Sequence, residues 1–220
     1  MKSKPGRYGV LLRTLTDASL RYMLKVWPYC GRPADTERGP SHVHFDSISD
    51  MVSYMVEDLA GSGRNVTMDR FFTSPEVADN LLGNRSTIVG TIDRHRRLPG
   101  ELKEPRGREV GSSMFAFHEE KTAVSFCPKP GKVVIALSTQ HHVPMVDADA
   151  KKPETVLYYK ATKSGVDVMD AMVEKYMHKP PLCRWPIAVF IYMLSIAEVN
   201  ASTVVMLNNM TGKEEKKGAR

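Results

Sequence analysis

Cysteine is scarce: the 220 residues hold three, Cys30, Cys127 and Cys183. They are odd in number and far apart, which excludes a disulfide framework and the paired spacing of a zinc site. Reduced, buried thiols of a cytosolic or nuclear protein are expected. The opening Met1-Lys2-Ser3-Lys4-Pro5-Gly6 is polar and basic with no apolar region behind it, so no secretory leader is expected. Long apolar runs are also few. The strongest, Trp185 to Leu207, is broken by Glu198, Asn200 and Ser202. A membrane span needs about 20 predominantly apolar residues, so this run reads as a core helix and no membrane partner is expected. Gly and Pro stand at 15 and 14, near the average for globular proteins, which excludes collagen-like and low-complexity chains. The absence of an internal repeat excludes a solenoid.

What is present fits a globular domain, or a domain carrying an insertion: 42% of residues are hydrophobic and 25% charged, enough to bury a core. Lys and Arg outnumber Asp and Glu by 31 to 25, with a pI near 9.2. That excess suits a polyanionic partner such as nucleic acid, although many enzymes share it.

Along the chain, Tyr8–Thr16 and Arg21–Tyr29 read as a hairpin turning at Asp17-Ala18-Ser19, and Arg32–His42 as a loop. Ile48, Met51, Val52, Met55, Val56 and Leu59 recur at helical spacing, with Asp46 or Ser47 as cap and Gly61 as stop. A strand over Asn65–Met68 leads to Asp69. Thr73-Ser74-Pro75-Glu76 opens a second helix ending near Gly83, with Thr73 as its expected cap. Thr87–Ile92 is a further strand. Three short strands follow, Ser112–Phe117, Thr122–Cys127 and Val133–Thr139, spaced as a meander. Val156–Tyr159 reads as a strand, then Val166–Tyr176 and Pro186–Leu207 as helices, with a frayed tail after Gly212. Four segments result: the first part of an α/β core (1–93), a basic β-rich insertion (94–152), the last part of the core (153–210) and a charged tail (211–220).

Asp69 is the first candidate for chemistry, because reactive groups gather where the strands of α/β sheets end. The same position equally suits a turn aspartate bonded to nearby backbone N–H groups. Asp167 and Asp170, three apart, share a face in the first turns of a helix, where the dipole favours negative charge whether or not a ligand binds. Taken together the acids suggest phosphodiester cutting. In-line attack is served by two divalent ions about 4 Å apart, and hard ions such as Mg²⁺ or Mn²⁺ take carboxylate oxygens. About three converging carboxylates are required for two such ions. The run Arg94, Arg96, Arg97, Arg106 and Arg108 offers phosphate contacts, or else is a solvated loop. His141 and His142 have no third ligand in view and are assigned nothing.

Seven stretches then match one family in order and spacing. They are Lys4-Pro5-Gly6-Arg7-Tyr8-Gly9, Met68-Asp69-Arg70-Phe71-Phe72-Thr73-Ser74, Ile88-Val89-Gly90-Thr91, Val110-Gly111-Ser112-Ser113-Met114-Phe115, Tyr158-Tyr159-Lys160, Gly165-Val166-Asp167-Val168-Met169-Asp170 and Arg184-Trp185-Pro186. Through them the chain resembles the piggyBac transposases. The resemblance implies an α/β fold: a ribonuclease H-like mixed sheet with flanking helices, here lacking its first strand and interrupted by a small antiparallel β insertion. It also implies cut-and-paste DNA transposition at TTAA sites with Mg²⁺ or Mn²⁺. By resemblance Asp69 and Asp167 are metal ligands, Asp170 is a further catalytic acid, and Arg184 and Trp185 lie near the DNA ends. There Trp185 either stacks on a base or packs into the core as a helix-start aromatic.

Four departures from the family pattern matter. The family's first catalytic Asp, on a strand ahead of Lys4, is expected to be missing, as are an N-terminal DNA-binding region and a cysteine-rich zinc domain. Arg70 replaces an Asn beside Asp69 and weakens cation binding. Ser164 replaces a Gly. Pro180-Pro181 stands where Arg-Lys is common.

Three readings follow. In the first, a transposase-derived chain no longer cuts DNA. In the second, a domesticated DNA- or chromatin-binding protein uses the basic segment. In the third, a working nuclease obtains its missing strand from upstream sequence. All three imply DNA as partner, with a homodimer allowed and no small-molecule substrate. They imply nuclear residence, or cytoplasmic if the chain is not imported.

Overall fold

The computed structural model describes residues 10–29, 45–177 and 184–218, with side chains described as far as 210. Cys30, Cys183, Pro180-Pro181, the 32–42 loop and the Lys4–Gly9 motif lie outside them. The chain divides into two units, one of residues 1–42 and 164–220, the other of residues 43–163.

In the first unit, β1 (Leu11–Thr16) and β2 (Met23–Tyr29) form the expected antiparallel hairpin, Leu11 opposite Tyr29 and Thr16 opposite Met23. Asp17 closes its turn: Oδ1 accepts from the Ser19 and Leu20 amides at 2.8 and 2.7 Å. Behind the hairpin lie α5 (Gly165–Tyr176) and α6 (Trp185–Gly218). Met23, Met169, Val173, Ile196 and Val199 make their shared core. Asn200 extends the edge of β2 as a strand would, accepting from Met23 N at 2.8 Å and donating to Met23 O at 2.9 Å. The core-helix reading of 185–207 holds for one face, where Ser195, Ile196, Val199 and Thr203 are buried, while Phe190, Leu194 and Val205 are exposed. By length and composition alone, Trp185–Met210 could cross a membrane. The expected fraying after Gly212 is not found, since the helix continues to Gly218.

The second unit is built on one mixed sheet. Its strands are β3 (Asn65–Met68), β4 (Thr87–Thr91), β5 (Ser113–His118), β6 (Lys121–Lys129) and β7 (Lys132–Ser138), in the order β3-β4-β7-β6-β5. β3 and β4 are parallel, joined by the crossover helix α2 (Pro75–Gly83), and all other pairs are antiparallel. The meander of β5–β7 follows the expected spacing of three short strands. It does not form a sheet of its own, because β7 pairs with β4 and extends the parallel pair. Helix α1 (Ile48–Val56), capped by Ser47 and prolonged by a 3₁₀ turn over Glu57–Leu59, packs on α2. A short helix α3 (Gly100–Lys103) buries Leu102, and β8 (Val146–Asp147) pairs with β9 (Lys152–Pro153). Val77, Ala78, Leu81, Ile88, Val89, Val124 and Ala136 fill the core at 0–1% exposure.

Two local expectations are corrected. Val156–Tyr159 is not a strand but the middle of helix α4 (Glu154–Thr162). Four apolar residues are too few for periodicity to decide. The second edge of β4 is already taken by β7, and α4 lies on β4 and β7 instead. Tyr159 and Thr162, three apart on α4, reach the sheet: Thr91 Oγ1 donates to Tyr159 Oη at 3.4 Å, and Thr162 Oγ1 meets Thr67 Oγ1 at 2.8 Å. The second correction is the cap of α2. Ser74, not Thr73, accepts from the Val77 amide at 3.2 Å.

Candidate functional site

In the second unit Asp69 leaves the C-terminal end of β3 at the surface, where the parallel pair ends. The backbone turns sharply there. The Asp69 carbonyl accepts from the Phe72 and Thr73 amides at 3.2 and 3.1 Å, and its Oδ1 accepts from the Phe71 amide at 2.8 Å. This is the geometry of a turn aspartate. It also holds the carboxylate in one place, since the backbone N–H fixes one oxygen and the other is engaged by no group among the described residues. Phe71 is 45% exposed, edge-on to Phe72.

Beside this turn, β4 ends and the basic segment begins. The His95 N–H donates to Asp93 Oδ1 at 2.9 Å. That bond, with the charges of His95, Arg70 and Arg94 working against partial desolvation, holds the Asp93 carboxyl below the ordinary range. Sequence reasoning missed Asp93, whose effect depends on β3 and β4 ending together.

The arginine run divides in two. Arg94, Arg96, Arg97 and Arg106 are exposed, and none makes an ion pair among the described residues. Arg108 is half-buried. Its guanidinium donates to Ser125 Oγ at 2.8 Å, Ser112 O at 2.9 Å, Ser125 O at 3.0 Å and Ser112 Oγ at 3.2 Å. Its donors serve the fold. His141 is held locally, Nδ1 against Ser138 Oγ at 2.8 Å, and burial lowers its pKa.

In the first unit Asp167 lies exposed in the first turn of α5. Gly165, two residues before it, packs against the hairpin turn: a Cβ there would lie 3.1 Å from Ala18 Cα and from Thr16 Oγ1. Asp170 accepts from Tyr192 Oη at 2.9 Å, tying α5 to α6. Burial, then that hydrogen bond, pushes the Tyr192 phenol well above its ordinary pKa. Trp185 is 68% exposed at the start of α6, beside exposed Arg184, and is not packed into the core.

The family model described as Transposase IS4 matches residues 1–202. A cryo-EM structure of the piggyBac transposase synaptic complex with hairpin DNA matches with a TM-score of 0.86 and 35% identity. The match covers 97% of this chain and 44% of that one, so the chain spans less than half the length of its structural relative.

The chain belongs to the piggyBac transposase family.

Membership gives the fold as the ribonuclease H-like one, with its mixed sheet and flanking helices. Transposases of this family generally use divalent metal ions. Asp69 fits such an ion as a single ligand, being a hard oxygen donor, exposed and held by its own turn. A complete ligand set is another matter. Among the described residues of either unit, no three His, Cys, Asp or Glu side chains gather so as to hold an ion. No such set is therefore formed among the described residues, and no cutting step is derived from them. The piggyBac motifs around Asp69 and Asp167 do have a local structural meaning here: each places its acid at the start of a turn or helix that another segment of the same unit braces.

Proposed function

We propose that this is a transposase-derived chain which carries Asp69 and Asp167 as metal-binding acids and does not cut DNA by itself. The observation that carries the transposase ancestry is the family match together with Asp69 standing exposed and braced at the end of β3; among the described residues no third acid joins it. Two ions need about three converging carboxylates, and Asp170, the remaining candidate, is engaged by Tyr192. The role of Asp167 rests on family likeness, and that of Asp69 also on its exposed, braced position at the end of β3. The test is strand cleavage by the full chain on DNA carrying TTAA-flanked ends, in Mg²⁺ and in Mn²⁺. No product above background is expected. Metal-dependent cutting that disappears in Asp69→Ala or Asp167→Ala would overturn the reading.

A second reading is favoured by the exposed arginines: a protein that binds DNA without cutting it, in the nucleus. Residues 94–108 hold six Lys and Arg against two Glu, and Arg94, Arg96, Arg97 and Arg106 stand exposed, with no carboxylate in ion-pair contact among the described residues. The structural relative was solved with hairpin DNA. Four phosphate contacts give a slope of log affinity against log salt of about −3.6. A salt-independent affinity contradicts this second reading.

A further inference from the structure

We propose that Thr73 and Gly90 are positioning residues for Asp69: together they lock the turn after β3 onto β4 and fix where the carboxylate stands. The proposal rests on the reading of Asp69 as a metal ligand.

Thr73 is fully buried, although a threonine at the mouth of a helix ordinarily serves as its cap. Ser74 caps α2 instead. The Thr73 hydroxyl points back and donates to the Asp69 carbonyl at 2.8 Å, with Met68 O also within reach at 3.4 Å. Three donors thus converge on the carbonyl of the acid itself: the Thr73 hydroxyl and the Phe72 and Thr73 amides. The carbonyl cannot swing, and the Phe71 amide is left aimed at the carboxylate.

The hydroxyl has room only because residue 90 has no side chain. Met68 and Gly90 are partners across the parallel pair. A Cβ at position 90 would stand 2.2 Å from Thr73 Oγ1 and 2.6 Å from Met68 O. The first forces the hydroxyl out and the second presses on backbone, so neither is relieved cheaply. The role of Gly90 is close approach between strands, not an unusual backbone angle. Two motifs separated by a whole crossover therefore form one device, and β4, which leads into Asp93 and Arg94, is keyed to the turn that carries Asp69.

The test is amide hydrogen exchange and Mn²⁺ broadening by NMR on the full chain, comparing wild type with Thr73→Val, Thr73→Ser and Gly90→Ala. Valine keeps the shape and removes the donor, and serine restores it. Loss of one hydrogen bond speeds exchange at the Phe71 and Phe72 amides about tenfold, while Val124 in the sheet centre exchanges as before. Substoichiometric Mn²⁺ selectively broadens the Asp69 and Phe71 amides in wild type and Thr73→Ser, and less in Thr73→Val. Gly90→Ala reproduces the valine effect; should it fail to fold, the valine and serine pair decides. Unchanged exchange in Thr73→Val, or no recovery with serine, overturns the lock. Altered exchange without selective broadening in wild type overturns the ligand reading of Asp69 and, with it, the positioning role.

Discussion

Arg108→Ala separates the arginine that holds the fold from those that face solvent. One guanidinium donates four hydrogen bonds, to the hydroxyls and carbonyls of Ser112 and Ser125, and so pins the residue ahead of β5 to β6. Ser125 is fully buried, and once the arginine is gone its hydroxyl keeps its donation to Leu102 O but loses the donor it accepted from. A hydrogen bond from a charged donor is worth about 1.5–3 kcal/mol. Four on one half-exposed group are not additive, which leaves a net loss of about 3 kcal/mol. At a few degrees per kcal/mol for a domain of this size, the melting temperature falls by roughly 10 °C. Arg106 is exposed and its side chain makes no hydrogen bond or ion pair among the described residues, so Arg106→Ala stays within about 0.5 kcal/mol of wild type. The two variants are compared by calorimetry and by DNA binding across a salt series. Arg106→Ala should make the salt slope shallower by about 0.9 with the melting temperature unmoved. Arg108→Ala should lower the melting temperature and leave the slope alone at temperatures where it is folded. An Arg108→Ala protein that melts like wild type and binds DNA with a reduced slope would refute the division.

Two further outcomes are expected in the first unit. Tyr192→Phe removes the bond to Asp170 and costs about 1 kcal/mol near neutral pH. Because the folded state raises the phenol pKa above its unfolded value of 10.0, that stability is present below pH 10 and is lost as pH rises beyond it. The gap between wild type and Tyr192→Phe in urea denaturation should therefore narrow above pH 10, and a gap that widens there is inconsistent with a raised phenol. Asn200→Ala leaves the amide and carbonyl of Met23, itself 4% exposed, without their side-chain partners. A loss of about 2 kcal/mol is expected by the same denaturation, and a neutral result would place Asn200 outside the core.

Much of the fold was legible because period and punctuation agree. The β1–β2 hairpin shows two strand-like runs about its turn, α1 a helical period with its cap, and β5–β7 the short even spacing of a meander. Val156–Tyr159 was misread because one β-branched residue, one leucine and two tyrosines suit a strand as well as a helix, and the pairing of β7 with β4 decides between them. The site was legible by position and opaque in its bracing. Asp69 follows a strand, which a sequence shows. That Thr73 occupies the space left by Gly90 is a contact between strands, which it does not show. Arg108 sits in the same basic run as Arg106 and differs only in where the chain turns it. Asp170 looked like a twin of Asp167 until Tyr192, on the next helix, proved to hold it.

The metal role proposed for Asp69 requires its carboxylate to meet a divalent cation from the turn after β3. Adding Mn²⁺ to the full chain labelled with ¹⁵N tests this directly through paramagnetic loss of amide signals. Early and selective loss at Asp69 and Phe71, abolished in Asp69→Ala, is the predicted result. Uniform loss over the surface, or selective loss that persists in Asp69→Ala, would contradict it.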